Sequence, residues 1–173
     1  MHATQIDILK IAIDWAKTET FSSGFFAVIG LLFIVSSFCL WQFGKTDTAK
    51  AYVIPLLVTG GLLVILGVGL VISNQLRAAS FPAAFNADAN GFVATEIERA
   101  TKTITGYETA VFRVIPGIIL VCAVIILFVK SPVWQASMVA VIAMMAVIMF
   151  IDSNANARLE LYRDALTKAE SHD

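Results

Sequence analysis

Charged side chains are scarce in this sequence. Asp, Glu, Lys and Arg make up 14% of its 173 residues, whereas soluble domains have about 25%. Hydrophobic residues make up 58% and the mean hydropathy is +0.82, so the composition predicts a membrane protein surrounded by lipids. The formal net charge of -1 provides no basic field that would attract nucleic acid. We therefore expect no nucleic-acid partner.

Cysteine and histidine are also nearly absent. Cys39 and Cys122 lie inside apolar runs, and His2 and His172 lie at opposite ends of the chain. This spacing fits neither a disulfide framework nor a Cys/His zinc site. The sequence also has no usable Ser/His/Asp grouping and no glycine-rich phosphate loop. We therefore expect a non-enzymatic protein without a metal ion or other cofactor.

Long apolar runs are what the sequence has in place of charge. The runs are 19 to 25 residues long, enough to cross a hydrocarbon core of about 30 Å at about 1.5 Å per residue. The predicted spans are 21–43, 51–75, 110–129 and 133–151. Helical segments are predicted outside them at 3–18, which is amphipathic, 80–109 and 152–170. The sequence thus predicts an all-α integral membrane protein, a single domain over 1–173. It is a four-transmembrane-helix bundle with helical extensions on the cytoplasmic side.

The central segment contains the chain's one extended break. Ser80 and Pro82 are typical of a helix start, and Asn90-Gly91 is typical of a helix end. The sequence therefore predicts a short helix here, followed by a second hairpin of helices. Pro116 predicts a kink where the next helix enters the bilayer.

Apolar residues then recur at heptad spacing, first from Val93 into the third span and again beyond the fourth span. Members of these stripes outside the predicted spans include Ile97, Ile104, Leu159 and Tyr162. Between the positions of the first stripe lie polar residues, namely Glu96, Glu98, Arg99 and Lys102. Such stripes favour packing against other helices, as in a coiled coil.

Positive charge indicates the orientation. Nine of the 12 Lys and Arg residues lie at the termini or in the central segment, while the two short turns carry only Lys45, Lys50 and Lys130. By the positive-inside rule, both termini and the central segment face the cytoplasm. We expect the plasma (inner) membrane of a bacterium.

Glycine is concentrated in the second span, at Gly60, Gly61, Gly67 and Gly69. The seven-residue step from Gly60 to Gly67 places two gaps on one face, which allows close helix approach.

The two predicted hairpins share the same order of segments. Either an internal duplication or similar chemistry at the ends of helices explains this likeness.

Polar residues gather at one predicted depth, the cytoplasmic ends of the spans. The set comprises Glu19, Arg77, Arg113 and Asp152, with the amides Asn74, Asn154 and Asn156. Ionisable groups near lipid usually pair inside the bundle, so we expect Asp152 to pair with Arg113 or Arg77. The simpler interpretation is that this ring closes the bundle with salt bridges, and the alternative is a cation gate or binding site.

These features favour a membrane scaffold or accessory subunit. It would associate through its transmembrane helices and its cytoplasmic heptad-like helices, either with copies of itself or with another membrane subunit. The alternative is a small homo-oligomeric ion channel, whose pore mouth lies near Asp152, Asn154 and Asn156.

Overall fold

The computed structural model describes residues 2–170, with side chains from Asp7 onward; His172 lies outside this range. Helix runs nearly from end to end, and the described residues include no strand. The elements are α1 (His2–Phe43), α2 (Asp47–Ala51), α3 (Val53–Ala87), α4 (Ala89–Thr109), a π-helical turn (Ala110–Val114), α5 (Ile115–Phe128) and α6 (Pro132–Glu170). Four helical stretches are long and apolar enough to cross a membrane. The predicted all-α class with four such helices is confirmed.

Helix α1 joins the predicted amphipathic segment, 3–18, to the first predicted span, 21–43, without a break. No proline interrupts the junction, and Thr18 and Thr20 donate their hydroxyls to backbone carbonyls one turn earlier. These bonds satisfy the side-chain hydroxyls within the helix. Where the sequence predicts two segments, the structure has one rod.

The break in the central segment lies later than the sequence predicts. Helix α3 continues through Ser80 and Pro82, and the backbone leaves helical geometry only at Asp88, with φ -157° and ψ 99°. The Asp88 carboxylate then caps α4 by accepting the Gly91 N–H at 3.0 Å. The predicted helix start at Ser80 and the predicted end at Asn90-Gly91 are therefore wrong.

Burial of aromatic rings explains why α3 continues past its proline. Phe81 and Phe85, one turn apart, are 3% and 8% exposed, and both pack edge-on against Phe92 of α4. Burying a phenylalanine contributes about 1.5–3 kcal/mol. The two rings together therefore offset the cost of about 3 kcal/mol for a proline inside a helix.

The disturbance predicted at Pro116 takes the form of the π-helical turn Ala110–Val114 immediately before it. Proline lacks an N–H, and its ring crowds the carbonyl four residues earlier. A π-helical turn changes the spacing of the carbonyls at that point. Helices α4 and α5 thereby form one continuous rod, Ala89–Phe128.

Glycines bring α1 and α3 together backbone to backbone. A Cβ placed on Gly60 would lie 2.7 Å from the carbonyl oxygen of Gly30, and one placed on Gly67 would lie 2.5 Å from a backbone nitrogen of α1. A Cβ on Gly61 or Gly69 would meet nothing within 4 Å. The predicted glycine set therefore divides into two residues at the α1–α3 contact and two that face away from it.

Two hydrophobic cores follow one another along the rods. The smaller one, formed by Phe26, Leu63 and Ile151, lies between the predicted spans. The larger one is here called the extension core and comprises Ile8, Ala12, Trp15, Ala16, Phe81, Phe85, Phe92, Val93, Ala100, Ile104, Leu159, Tyr162 and Leu166. Ile97 packs against it while partly buried. The parts of the heptad-like stripes that lie outside the predicted spans are thus covered within a single chain.

Candidate functional site: a polar cavity where the spans end

A cavity of about 180 Å³ lies between the smaller core and the extension core. Helices α1, α3, α4 and α6 all contribute to its wall. We call it the boundary cavity and define it by the lining residues that have a polar side-chain group, Trp15, Glu19, Ser23, Ser73, Asn74, Arg77, Arg99, Thr103, Tyr107 and Asp152. Apolar side chains, among them Phe26, Leu70 and Ile151, line it on the side of the predicted spans.

The structure brings together four of the seven residues of the predicted ring. Glu19, Asn74, Arg77 and Asp152 line the boundary cavity. Arg113 is exposed on the π-helical turn and does not line it. A π-helical turn has more residues than an α-helical turn, so it rotates Arg113 relative to the position that an uninterrupted α-helix would give.

The two remaining amides also lie elsewhere. Asn154 is exposed, donates to the Phe150 carbonyl at 2.7 Å and lines a separate groove of about 240 Å³ between α1 and α6. It lies about 200° around the helix from Asp152. Asn156 is buried and donates to Glu160 at 2.7 Å, while its Oδ1 has no partner. The three residues of the predicted pore mouth therefore do not share one surface in the chain.

Glu19 forms the ion pair that joins α1 to α6. Its carboxylate is paired with Arg158, whose Nη2 lies 3.2 Å from Oε2 and whose Nε donates to the same oxygen at 3.2 Å. The expected pairing of Asp152 with Arg113 or Arg77 is not among the ion pairs of the described residues and is wrong. Arg158, six residues beyond Asp152 on α6, is the arginine that pairs with Glu19.

Asp152 has no hydrogen bond or ion pair to any other described residue. Burial, with a smaller contribution from the nearby Glu19 carboxylate, raises the pKa of Asp152 to about 6. The Tyr107 hydroxyl also has no hydrogen bond within the described part of the chain. Its pKa is raised to about 12 by burial and by the charges of Asp152 and Glu19. Both groups are therefore available to a ligand in the cavity.

Arg77 lines the same cavity as Asp152 and carries a positive charge. Its Nη1 donates to the amide oxygen of Asn74 at 3.3 Å, and it forms no ion pair with a described residue. Burial, followed by the positive charge of Arg99, lowers its pKa from the ordinary value. The guanidinium keeps most of its donors free.

Trp15 organises the wall between the cavity and the extension core. Its ring stacks on Tyr162 with centroids 4.7 Å apart, and the guanidinium of Arg99 lies over it at 4.9 Å. Arg99 forms two hydrogen bonds to Glu96, at 2.9 and 2.6 Å, and Tyr162 donates to the same carboxylate at 3.0 Å. Burial and the Glu96 carboxylate raise the pKa of Tyr162. This closed network fixes α4 against α1 and α6.

Several residues of this site were not predicted from the sequence. Ser23 bonds to Asn74 at 3.3 Å across α1 and α3, and Glu96 is 6% exposed although it lies between heptad positions. Gly30 forms the other side of the glycine contact. A hydroxyl or glycine inside a predicted span is a weak signal, since both are common there. An acidic residue beside an apolar stripe normally indicates a solvated face.

The cavity wall contains hydrogen-bond donors, among them Arg77 and Tyr107, together with the Asp152 carboxylate. No group of three or more His, Cys, Asp or Glu side chains comes together within the described residues. The carboxylates of Asp152 and Glu19 are therefore the acidic groups that a ligand in the cavity would meet.

Fold and site together define an all-helical protein with four helices of membrane-spanning length and a polar cavity between them. Compared with known protein families, curated proteins and solved structures, the chain matches none of them.

Proposed function

We propose that this protein is a non-enzymatic membrane scaffold or accessory subunit that holds a rigid helical extension beside the membrane. The observation that carries the proposal is continuity. α1, α3, the α4–α5 rod and α6 each pass from a predicted span into the extension without a loop. The extension is also packed around its own core. Such a frame keeps the extension at a fixed position relative to the spans.

The interior between the spans supports a structural role over transport. Close glycine contacts join α1 to α3, and the core there consists of Phe26, Leu63 and Ile151. Transporters usually place polar groups or interrupted helices near the membrane midplane. The boundary cavity lies instead at the charged ends of the predicted spans.

The surface used for association follows from what the fold already covers. The heptad-like positions Ile104, Leu159 and Tyr162 are buried within the chain, so the proposal assigns association to outward-facing surfaces. Leu120 in the third predicted span is 65% exposed, and Leu161 on the extension is 71% exposed. The partner would be a second copy of the chain or another membrane subunit.

The proposed orientation places both termini and the extension in the cytoplasm of a bacterial plasma membrane, following the positive-inside rule. It is tested in intact cells by single cysteines in a background of Cys39→Ala and Cys122→Ala. A membrane-impermeant maleimide should label Thr48→Cys, in the short outer turn, and should label Glu98→Cys only after lysis. The reverse pattern would contradict the orientation.

Association is tested in native membranes with a photo-crosslinking amino acid at Leu120 or Leu161. At least one position should yield a defined crosslinked product, and native mass in mild detergent should show more than one chain. Thr48 provides the exposed control and should yield none. A monomer without crosslinks would contradict the scaffold, and reproducible ion conductance in liposomes that Asp152→Asn alters would favour the channel instead.

A further inference from the structure

The boundary cavity contains one negative and one positive side chain that the fold leaves without an ion-pair partner. The Asp152 carboxylate accepts no hydrogen bond from any described residue, and Arg77 makes one bond, to the neutral amide of Asn74 at 3.3 Å. Both side chains are partly buried and both line the cavity. Partly buried charges without partners are unfavourable, so these two groups need an explanation.

The other charges of the cavity wall are already compensated. Glu19 pairs with Arg158 at 3.2 Å, and Arg99 pairs with Glu96 at 2.6 Å. A bound cation would leave Arg77 unpaired, and a bound anion would leave Asp152 unpaired. A zwitterion satisfies both groups and leaves the cavity neutral.

The size and position of the cavity narrow the choice of ligand further. The cavity volume is about 180 Å³. A cavity of about 150 Å³ holds benzene, so about seven non-hydrogen atoms fit here. Ser23 and Asn74 line the cavity together with the apolar Phe26 and Leu70, at the ends of the predicted spans, which is the depth of lipid headgroups. A phosphoethanolamine group has about this size, and in a phosphodiester its single positive and single negative charge match the two side chains.

We propose that the boundary cavity binds a phosphoethanolamine group, with its ammonium on Asp152 and its phosphate on Arg77. The Tyr107 hydroxyl, which lines the same wall, supplies a further hydrogen-bond donor. Arginine binds phosphate through two parallel N–H bonds, which are stronger than neutral hydrogen bonds. The group could belong to the headgroup of an aminophospholipid or to free phosphoethanolamine.

Trp15 reports occupancy of the cavity. Trp41 and Trp134 are exposed, so Trp41→Phe and Trp134→Phe leave Trp15 as the single indole of a folded protein. Detergent-purified, delipidated protein is titrated with phosphoethanolamine, a short-chain phosphatidylethanolamine, the matching phosphatidylcholine and phosphatidylglycerol, ethanolamine and inorganic phosphate. Phosphoethanolamine or its lipid should give a saturable change in Trp15 fluorescence. Its Kd should be at least about tenfold lower than that of every compound lacking either charge.

Charge-removing variants assign the two ends of the ligand. Asp152→Asn and Arg77→Gln should each weaken binding by about tenfold or more. Asp164→Asn and Arg163→Gln are matched controls, because those residues pair with each other at 2.8 Å on α6 and do not line the cavity. The controls should bind like the parent protein.

The outcomes distinguish a lipid headgroup from a free ligand, and they test ligand binding separately from the proposed scaffold function. Saturable binding of the lipid alone identifies a lipid headgroup, and equal binding of free phosphoethanolamine identifies a soluble ligand. Equal binding of phosphatidylglycerol, no saturation with any probe, or unchanged binding in both cavity variants would overturn the proposal. If the variants fail to fold, native mass spectrometry of the parent protein decides, through selective retention of phosphatidylethanolamine over phosphatidylglycerol. The crosslinking result stands independently, since it reports association and not occupancy.

Discussion

Adding one methyl group at Gly60 tests whether the α1–α3 contact holds the predicted spans together. The new Cβ would lie 2.7 Å from the Gly30 carbonyl oxygen and 2.9 Å from Cβ of Phe33. Non-bonded contacts are comfortable at about 3.5 Å. Because the first of these neighbours is backbone, α1 as a whole must move away by roughly 0.8 Å at this point.

Gly61 provides the matched control one residue away. A Cβ there meets nothing within 4 Å, while the intrinsic gain in helix propensity from Gly to Ala, about 1 kcal/mol, applies equally to both variants. Overpacking costs about 1–3 kcal/mol. The free energy of unfolding of Gly60→Ala should therefore lie about 1–3 kcal/mol below that of Gly61→Ala, and Gly61→Ala should equal or exceed the parent protein.

The measurement is unfolding in mixed micelles, followed by circular dichroism as the denaturing detergent is increased. Gly67→Ala and Gly69→Ala repeat the comparison on the same helix, with a Cβ that would lie 2.5 Å from the α1 backbone for Gly67 and free space for Gly69. Equal stability within both pairs would refute the packing argument. A loss in both members of a pair would instead indicate that the outward glycines contact a partner.

Two further predictions concern the polar side chains. Tyr162→Phe removes the 3.0 Å hydrogen bond to the buried Glu96 carboxylate and should lower the free energy of unfolding by about 1–3 kcal/mol; an unchanged value would contradict the bond. The Asp152 pKa, about 6, lies above the ordinary value of about 3.9. Stability in the ligand-free protein should therefore be lost as pH rises from about 4 to about 6. Asp152→Asn should then have a higher Tm than the parent at pH 8, and this advantage should shrink as pH falls from 6 to 4. Asp164→Asn should show no such trend, and a pH-independent advantage would contradict the assignment.

The four long apolar helices were predictable because a membrane-spanning segment meets a simple requirement. A helix that crosses a membrane needs about 20 apolar residues, and no tertiary information is needed to count them. The extent of each rod was less predictable. Pro82 is a strong local signal for a helix boundary, yet Phe81 and Phe85 bury against Phe92 and carry α3 onward to Asp88. A local sequence signal for a helix boundary is overridden where contacts with residues distant in sequence contribute as much free energy.

The candidate site shows a second limit of sequence reasoning. Periodicity gives a residue's depth along its helix and its direction relative to that helix alone. Glu19, Arg77 and Asp152 were predicted at one level and do line one cavity. Which rods face one another is decided by tertiary packing, so Arg158 was not identified as the partner of Glu19. The π-helical turn similarly removed Arg113 from the predicted ring.

The heptad-like stripes illustrate why an apolar stripe in a sequence does not identify the surface that covers it. Leu159 and Tyr162 have the spacing of a coiled-coil seam, and that spacing states only that another apolar surface covers them. The ends of α1, α3 and α4 supply that surface within the chain, because the long rods project together from the predicted spans. Once these faces are covered, Asp152 and Arg77 are the charges of the cavity wall left without a counterion. The place to look for a ligand is therefore the cavity beside the covered stripes.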